Sequence, residues 1–272
     1  MDPVNSSTTG EYYSYVTGGS WELNAILSSN KYRNDDDITK TNLPGVLSIG
    51  SDKTLNPVYT TNGLIGYWKF DEGTGSIAVD SSNNGLSGAL TNTPTWLDSR
   101  DCKIGSCLKF VDGEYVRISD NNLLDITDNL TITFWINPIV LSTDSNHPFK
   151  KFGSTVDANF ILYYCGTACG SDNKFVWYAN RGGSWSTISS KTASLVTNQW
   201  YFLALTYENG GQLYINGVAT GAKTGSGNLA INIYDLYIGN DLTGQTHIFD
   251  DVRIYNRALS AAEIKTIYNS TR

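Results

Sequence analysis

The residues best equipped for chemistry are the carboxylates, and their spacing favours ion binding over catalysis. Six glutamates occur, Glu11, Glu22, Glu72, Glu114, Glu208 and Glu263; no two lie within five residues of each other and none has an Asp two residues later. Glycosidic cleavage needs two carboxyls held a short, fixed distance apart, and the strand-like stretch Phe160–Tyr164 carries no acid. His147 and His247 are the only histidines and neither sits in a ligand motif, so both read as structural or surface residues. No Ser/His/Asp or Cys/His arrangement is visible. Aspartate far outnumbers glutamate, and acidic loops suit Ca²⁺, a hard cation that takes carboxylate and carbonyl oxygens. In the segment Ile248–Tyr255, Ile248, Asp250, Val252 and Ile254 alternate with Phe249, Asp251, Arg253 and Tyr255. Alternation makes this a strand and puts Asp250 on the face of Val252 and Ile254, where a bare charge would need a cation or backbone donors.

Two further groups have useful spacing. Cys102 and Cys107 bracket four residues, and Cys165 and Cys169 bracket three. Two short-loop disulfides in an oxidising compartment are the preferred reading. A zinc site is the alternative, but the pairs are not Cys-x-x-Cys and no His lies beside them. The stretch Trp177-Tyr178-Ala179-Asn180-Arg181-Gly182-Gly183-Ser184-Trp185 sets aromatics and planar polar groups around a Gly-rich turn. Such a set stacks on the apolar faces of sugar rings and fixes their hydroxyls. Tyr178, Asn180, Arg181 and Trp185 are the candidate ligand residues, with Lys150, Asp157, Tyr163 and Tyr164 able to join them. Trp177 and most strand aromatics would otherwise serve packing, as Trp68, Phe70, Phe110, Phe134, Trp200 and Phe202 are expected to do.

The elements that must position these groups are strands. Seventeen Tyr, seven Trp, 26 Gly and one Met in 272 residues, with only 17% charged, is a composition of strands and turns. The net charge of −7 argues against nucleic acid as a partner. No apolar run is long enough to cross a bilayer, so no membrane contact is expected of this fragment. No export signal is visible, which suggests a mature fragment of an exported protein. Residues 1–60 read as a separate segment, with Tyr13-Ser14-Tyr15 and Leu23-Asn24-Ala25-Ile26-Leu27, the acidic turn Asn34–Asp37, and Val46–Gly50. A polar linker, Leu55–Asn62, follows. From Leu64 short alternating strands recur: Leu108–Ile118 around a turn, Leu130–Asn137, Lys174–Ala179, Gln199–Tyr207 and Gln212–Ala219, with Asn216-Gly217 as a hairpin signal. Ser260-Ala261-Ala262-Glu263 is a capping box before one short helix. The expected fold is therefore all-β, a two-sheet antiparallel sandwich with a short C-terminal helix.

Residues 63–269 resemble a laminin-G-like, concanavalin A-like lectin/glucanase jelly roll. The resemblance rests on Tyr67–Gly73, Asp80-Ser81-Ser82-Asn83-Asn84-Gly85, Leu108–Tyr115, Ile132–Ile136, Trp200–Tyr207, Tyr214–Gly217 and Phe249–Leu259, in the expected order. It implies a domain over 61–272. It also implies a structural calcium where first and last strands meet, with Asp250 as the last-strand carboxylate and Asp71 or Glu72 facing it. Asp80 and Asp112 are further oxygen donors, or else ordinary turn aspartates that bond backbone amides. The enzymes of this fold use Glu-x-Asp-x-Glu, which this chain lacks, so no catalytic residue is expected. The 1–60 segment resembles the C-terminal part of a type II secretion pseudopilin or type IV pilin-like protein, without its long N-terminal helix. Together the two resemblances imply an extracellular, non-catalytic lectin-like adhesin displayed on a pilus or cell surface. Its partners would be a carbohydrate or surface ligand and other pilin-like subunits. A purely structural filament subunit is the alternative, and a glycoside hydrolase a third.

Overall fold

The computed structural model describes residues 61–141, 146–152, 159–165, 174–181, 184–189, 195–239 and 244–271, and strands 13–17, 21–26 and 46–50; within these, 13–50, 146, 163–165, 174, 181 and 184–189 are described by backbone alone. The chain divides into two compact units, Met1–Tyr59 and Thr60–Arg272. In the first, β1 (Tyr13–Thr17), β2 (Trp21–Ile26) and β3 (Val46–Gly50) form an antiparallel sheet in chain order. The acidic turn Asn34–Asp37 lies outside the described residues, as does Cys169.

The second unit is a sandwich of two eight-stranded sheets. The first sheet contains β4 (Leu64–Trp68), β7 (Thr95–Leu97), β8 (Cys107–Phe110), β10 (Asn129–Val140), β15 (Tyr201–Glu208), β16 (Gly211–Ile215), β17 (Val218–Thr224) and β19 (Thr246–Tyr255). Its order is β17-β16-β15-β10-β19-β8-β7, with β4 also pairing β19. The second sheet contains β5 (Ile77–Ala78), β6 (Gly88–Thr91), β9 (Tyr115–Ile118), β11 (Asn146–Lys151), β12 (Phe160–Cys165), β13 (Lys174–Arg181), β14 (Ser184–Ser189) and β18 (Leu236–Ile238). Its order is β14-β13-β12-β11-β18-β9-β6-β5. All pairings are antiparallel, so neighbours in space are often far apart in the chain, as in a jelly roll.

Period-two alternation divides each strand between core and outside. Trp68, Phe110, Phe134 and Phe249 from the first sheet meet Phe149, Phe160, Leu162 and Trp177 from the second in one apolar cluster. Phe134 stacks on Phe149 at 5.4 Å between ring centroids. A second cluster lies on the opposite face of the first sheet. There Trp135, Phe202 and Tyr255 receive Ile264 and Ile267 of the C-terminal helix Ala261–Ser270. Phe202 and the half-buried Trp200 therefore pack under the helix, not in the inter-sheet core. The helix starts at the expected capping box: the Glu263 amide donates to Ser260 Oγ, and the Ser260 amide donates to Glu263. Trp135 Nε1 donates to Thr271 Oγ1 at 2.9 Å, anchoring the helix end to the sheet.

Candidate functional site

Asp250 does not lie on the face of Val252 and Ile254, as strict alternation required. Thr133 pairs Arg253 but Trp135 pairs Asp250, so Asp251 and Val252 together oppose Phe134. This is a β-bulge, and Asp251 makes it by adopting φ +56°, a left-handed conformation that Asp tolerates better than most residues. The extra residue reverses the alternation. Val252 and Ile254 enter the inter-sheet core, while Asp250 points to the outer face beside Trp135.

There Asp250 meets the loop closed by Cys102 and Cys107, which are disulfide-bonded. The amides of Lys103 and Ile104 donate to Asp250 Oδ2 at 3.0 and 2.8 Å. The Ser106 amide of the same loop donates to Asp71 Oδ1 at 2.9 Å. Lys103 Nζ sits 4.4 Å from the Trp135 ring centroid. Phe70, buried at φ +60°, turns the chain out of β4 so that Asp71 follows at the loop. Asp250 Oδ1 is buried with no hydrogen-bond partner. Burial, opposed by the Ile104 and Lys103 amides and reinforced by the charges of Asp251 and Asp71, pushes the Asp250 pKa up to about 8. Bare, this carboxyl is held protonated near neutrality.

The other expected oxygen donors are dispersed. Asp80 accepts the Tyr67 and Ser82 amides on Oδ1 and Ser82 Oγ and the Leu86 amide on Oδ2. Burial works against its charge, but those donors outweigh it and hold its pKa below the ordinary value. It organises the Ser81–Leu86 loop. Asp112 is exposed in the turn between β8 and β9. Glu72 Oε1 accepts the Val79 amide at 2.8 Å, and its Oε2 is buried without a partner. Among the described residues, no three His, Cys, Asp or Glu side chains gather as a metal-holding group. The structure thus joins Asp250 and Asp71 through one loop and leaves Asp80 and Asp112 apart. Asp250 Oδ1 suits a hard cation, whose remaining six- to eightfold shell would come from carbonyls and water.

Asp251 belongs to a separate buried trio. Its Oδ1 accepts Tyr67 Oη at 2.6 Å, its Oδ2 accepts Arg253 Nη1 at 2.6 Å, and Arg253 Nη2 donates to Tyr67 Oη at 2.9 Å. Burial disfavours the Arg253 charge, yet Asp251 and Tyr67 outweigh it and raise its pKa. Sequence reasoning missed this trio because Tyr67 belongs to β4 and reaches Asp251 and Arg253 only through the β4–β19 pairing.

A different arrangement crosses the outer face of the second sheet. The register aligns Ala89, Arg117, Tyr237, Lys150, Ile161, Tyr178 and Thr187 on seven adjacent strands. Their flanking residues, such as Val116, Leu236, Phe149, Leu162 and Trp177, face the core. Tyr115 meets Tyr237 edge-on at 5.4 Å, and Arg117 is ion-paired to Asp235. Lys150 Nζ lies 6.0 Å from the Tyr237 ring centroid and 5.8 Å from that of Phe152. Tyr115, Tyr237, Lys150 and Tyr178 are half-buried, while Ile161, between Lys150 and Tyr178 in the row, is buried. A sheet face of alternating aromatic and charged groups can stack sugar rings and hydrogen-bond their hydroxyls.

Of the residues expected from sequence, Tyr178 joins this row. Asn180 is fully buried; its amide donates to the Asn159 carbonyl and its own carbonyl accepts from Ala230. Trp185 pairs with Asn180 in the register, and Arg181 falls on the alternate register with Trp177 and Ala179. The Arg181, Trp185, Tyr163 and Tyr164 side chains, the whole of Asp157 and the Cys165–Cys169 pairing lie outside the described residues. Arg117 and Tyr237 were missed; each stands between two apolar residues, a signal of an outward position, but only the pairing of distant strands sets them beside Lys150.

A sandwich of two antiparallel sheets with one helix packed on its outer face is a jelly-roll class of domain. The chain belongs to the concanavalin A-like lectin/glucanases superfamily, whose Laminin_G_3 model matches residues 111–265. No curated protein matches it. Among solved structures, the binding domain of Paraclostridial Mosquitocidal Protein 1 is similar at 17% identity and TM-score 0.64, over 77% of this chain and 52% of that one. The ligand binding domain of botulinum neurotoxin serotype D, in complex with N-acetylneuraminic acid, is similar at 16% identity and TM-score 0.62, over 77% and 51%. Domain 4 of AbnA, a GH43 extracellular arabinanase from Geobacillus stearothermophilus in complex with arabinotriose, is similar at 23% identity and TM-score 0.57, over 75% and 98%. The chain spans about half the length of the toxin domains it matches. These likenesses establish the fold. Among the described residues, no helix is long and apolar enough to cross a membrane.

Proposed function

We propose that the sandwich is a non-catalytic, extracellular carbohydrate-binding module whose ligand lies across the outer face of the second sheet. The observation that carries this reading is the cross-strand row of Arg117, Tyr237, Lys150 and Tyr178, with Tyr115 against Tyr237. The complexes of similar domains with N-acetylneuraminic acid and arabinotriose support a glycan as the ligand class. The Cys102–Cys107 disulfide supports an oxidising compartment. The test is a glycan array followed by calorimetry on the best glycan. Tyr237→Ala combined with Lys150→Ala should weaken binding at least tenfold, about 1.4 kcal/mol, with an unchanged melting temperature. Unchanged affinity in that variant would move the site elsewhere on the domain.

A pilus setting is the finer reading, and the small antiparallel sheet β1–β3, together with the pilin-like resemblance of Tyr13–Gly50, supports it. In it the module decorates a filament built by other pilin-like subunits. Immunogold labelling of the module on sheared filaments tests this, and label confined to the soluble fraction would remove the filament from the account.

A further inference from the structure

Lys151, the last residue of β11, has no exposed side-chain surface, and its ammonium is surrounded by oxygen. Nζ lies 2.7 Å from Asp120 Oδ1, 2.9 Å from both the carbonyl and the Oδ1 of Asn232, and 3.0 Å from the Tyr234 carbonyl. Asp125 Oδ1 stands at 3.4 Å, buried and without a hydrogen bond. The surrounding groups are themselves fixed. Asn232 Nδ2 donates back to the Lys151 carbonyl, and Asn232 Oδ1 also accepts the Tyr234 amide. The Asp120 amide donates to Asp235 Oδ1.

An ordinary buried lysine needs one carboxylate and enough acceptors for three N–H groups. This one has five oxygens for three hydrogens: four accept from the ammonium, and the fifth, Asp125 Oδ1, belongs to a second carboxylate. Two carboxylates around one ammonium also leave the cage one negative charge in excess. Two carboxylates, a side-chain amide and two backbone carbonyls are the donors of a hard metal ion, which neutralises such a set as a divalent charge and completes its shell with water. We propose that Asp120, Asp125, Asn232 and the Tyr234 carbonyl form a cation site whose resident cation is the Lys151 ammonium, held where a structural metal ion would otherwise sit.

The placement gives the cage a task. It joins the end of β9, the end of β11 and the approach to β18, three neighbouring strands of the second sheet. An ion attached to the chain keeps these ends together at any external calcium concentration, since it cannot be chelated or diluted away.

The experiment uses the full chain with Lys151→Ala, which deletes the ammonium and keeps every oxygen. Calcium and potassium are titrated separately into the metal-free wild type and the variant, by calorimetry and by thermal melting. The expected result is one more bound ion per chain in the variant than in the wild type. Its melting temperature should be lowered without metal and should recover by several degrees on saturation with one of the two ions. Adding Asp125→Asn should abolish the extra site. Because wild type is the reference, ions bound near Asp250 cancel from the comparison. A variant that folds poorly without metal is refolded in the presence of each ion; failure to fold with either, or equal stoichiometry in variant and wild type, overturns the proposal. Independently, the wild type should show one slowly exchanging lysine ammonium resonance in ¹H–¹⁵N spectra that persists in chelator. Absence of that resonance also overturns it.

Discussion

At the residue scale, Asp250 makes folding stability depend on pH in a direction unusual for a carboxylate. Its folded pKa, about 8, lies above the ordinary Asp value near 3.9, so the metal-free folded state binds the proton more tightly. Stability from this group is complete below the unfolded value and is lost as pH rises through about 8. His247 acts oppositely: burial lowers its pKa to about 3, so its contribution is complete above roughly pH 6.5 and is lost as pH falls toward 3. Between pH 6.5 and 8 Asp250 costs about 1.5 kcal/mol, against which His247 gains a few tenths. Urea unfolding in EDTA at those two pH values should find the protein weaker at the higher one, and Asp250→Asn should remove the difference. Persistence of the slope in Asp250→Asn would assign it to another group.

At the element scale, β19 is defined by its bulge. Val252 and Ile254 were legible as core from their alternation, yet the residue that reverses the pattern, Asp251, carries no local signal beyond being an Asp. Its left-handed backbone is held by contacts with Tyr67 and Arg253, and Tyr67 comes from β4, far away in the chain. Asp251→Ala leaves the Arg253 guanidinium, 12% exposed, without its carboxylate. The expected cost is about 3–5 kcal/mol. Asp251→Ala with Arg253→Met should recover much of that loss, because an apolar side chain needs no partner. Chemical denaturation of both variants checks this, and a double variant as weak as the single one would point to the bulge backbone instead of the charge.

At the scale of the whole molecule, first and last strands meet under the Cys102–Cys107 loop, and its amides hold Asp71 and Asp250. We propose a calcium ion bound by Asp250 at this junction as a clasp on the two chain ends of the sandwich. Binding only the folded state, it would add about 2.7 kcal/mol at one hundred times Kd. EDTA should then lower the melting temperature by several degrees and calcium should restore it, with no such response in Asp250→Ala. Identical melting curves in EDTA and calcium would leave Asp250 as a protonated acid bonded to backbone amides.

What the sequence determined by itself was the local record: strands such as Leu130–Asn137 and Gln199–Tyr207, the Asn216-Gly217 turn, the capping box at Ser260 and the close Cys102–Cys107 pair. Each is a property of neighbours in the chain, where alternation, turn chemistry and capping act. The tertiary structure decided which outward residues share a face. Arg117, Tyr237 and Lys150 become neighbours only through the pairing of β9, β18 and β11. Asp120, Asp125, Asn232 and Lys151 meet only because three strand ends converge. Asp250 turns outward only because Asp251 bulges against β10. Antiparallel pairing in a jelly roll brings distant segments together, so a site assembled across strands has no signature in the spacing of any one of them.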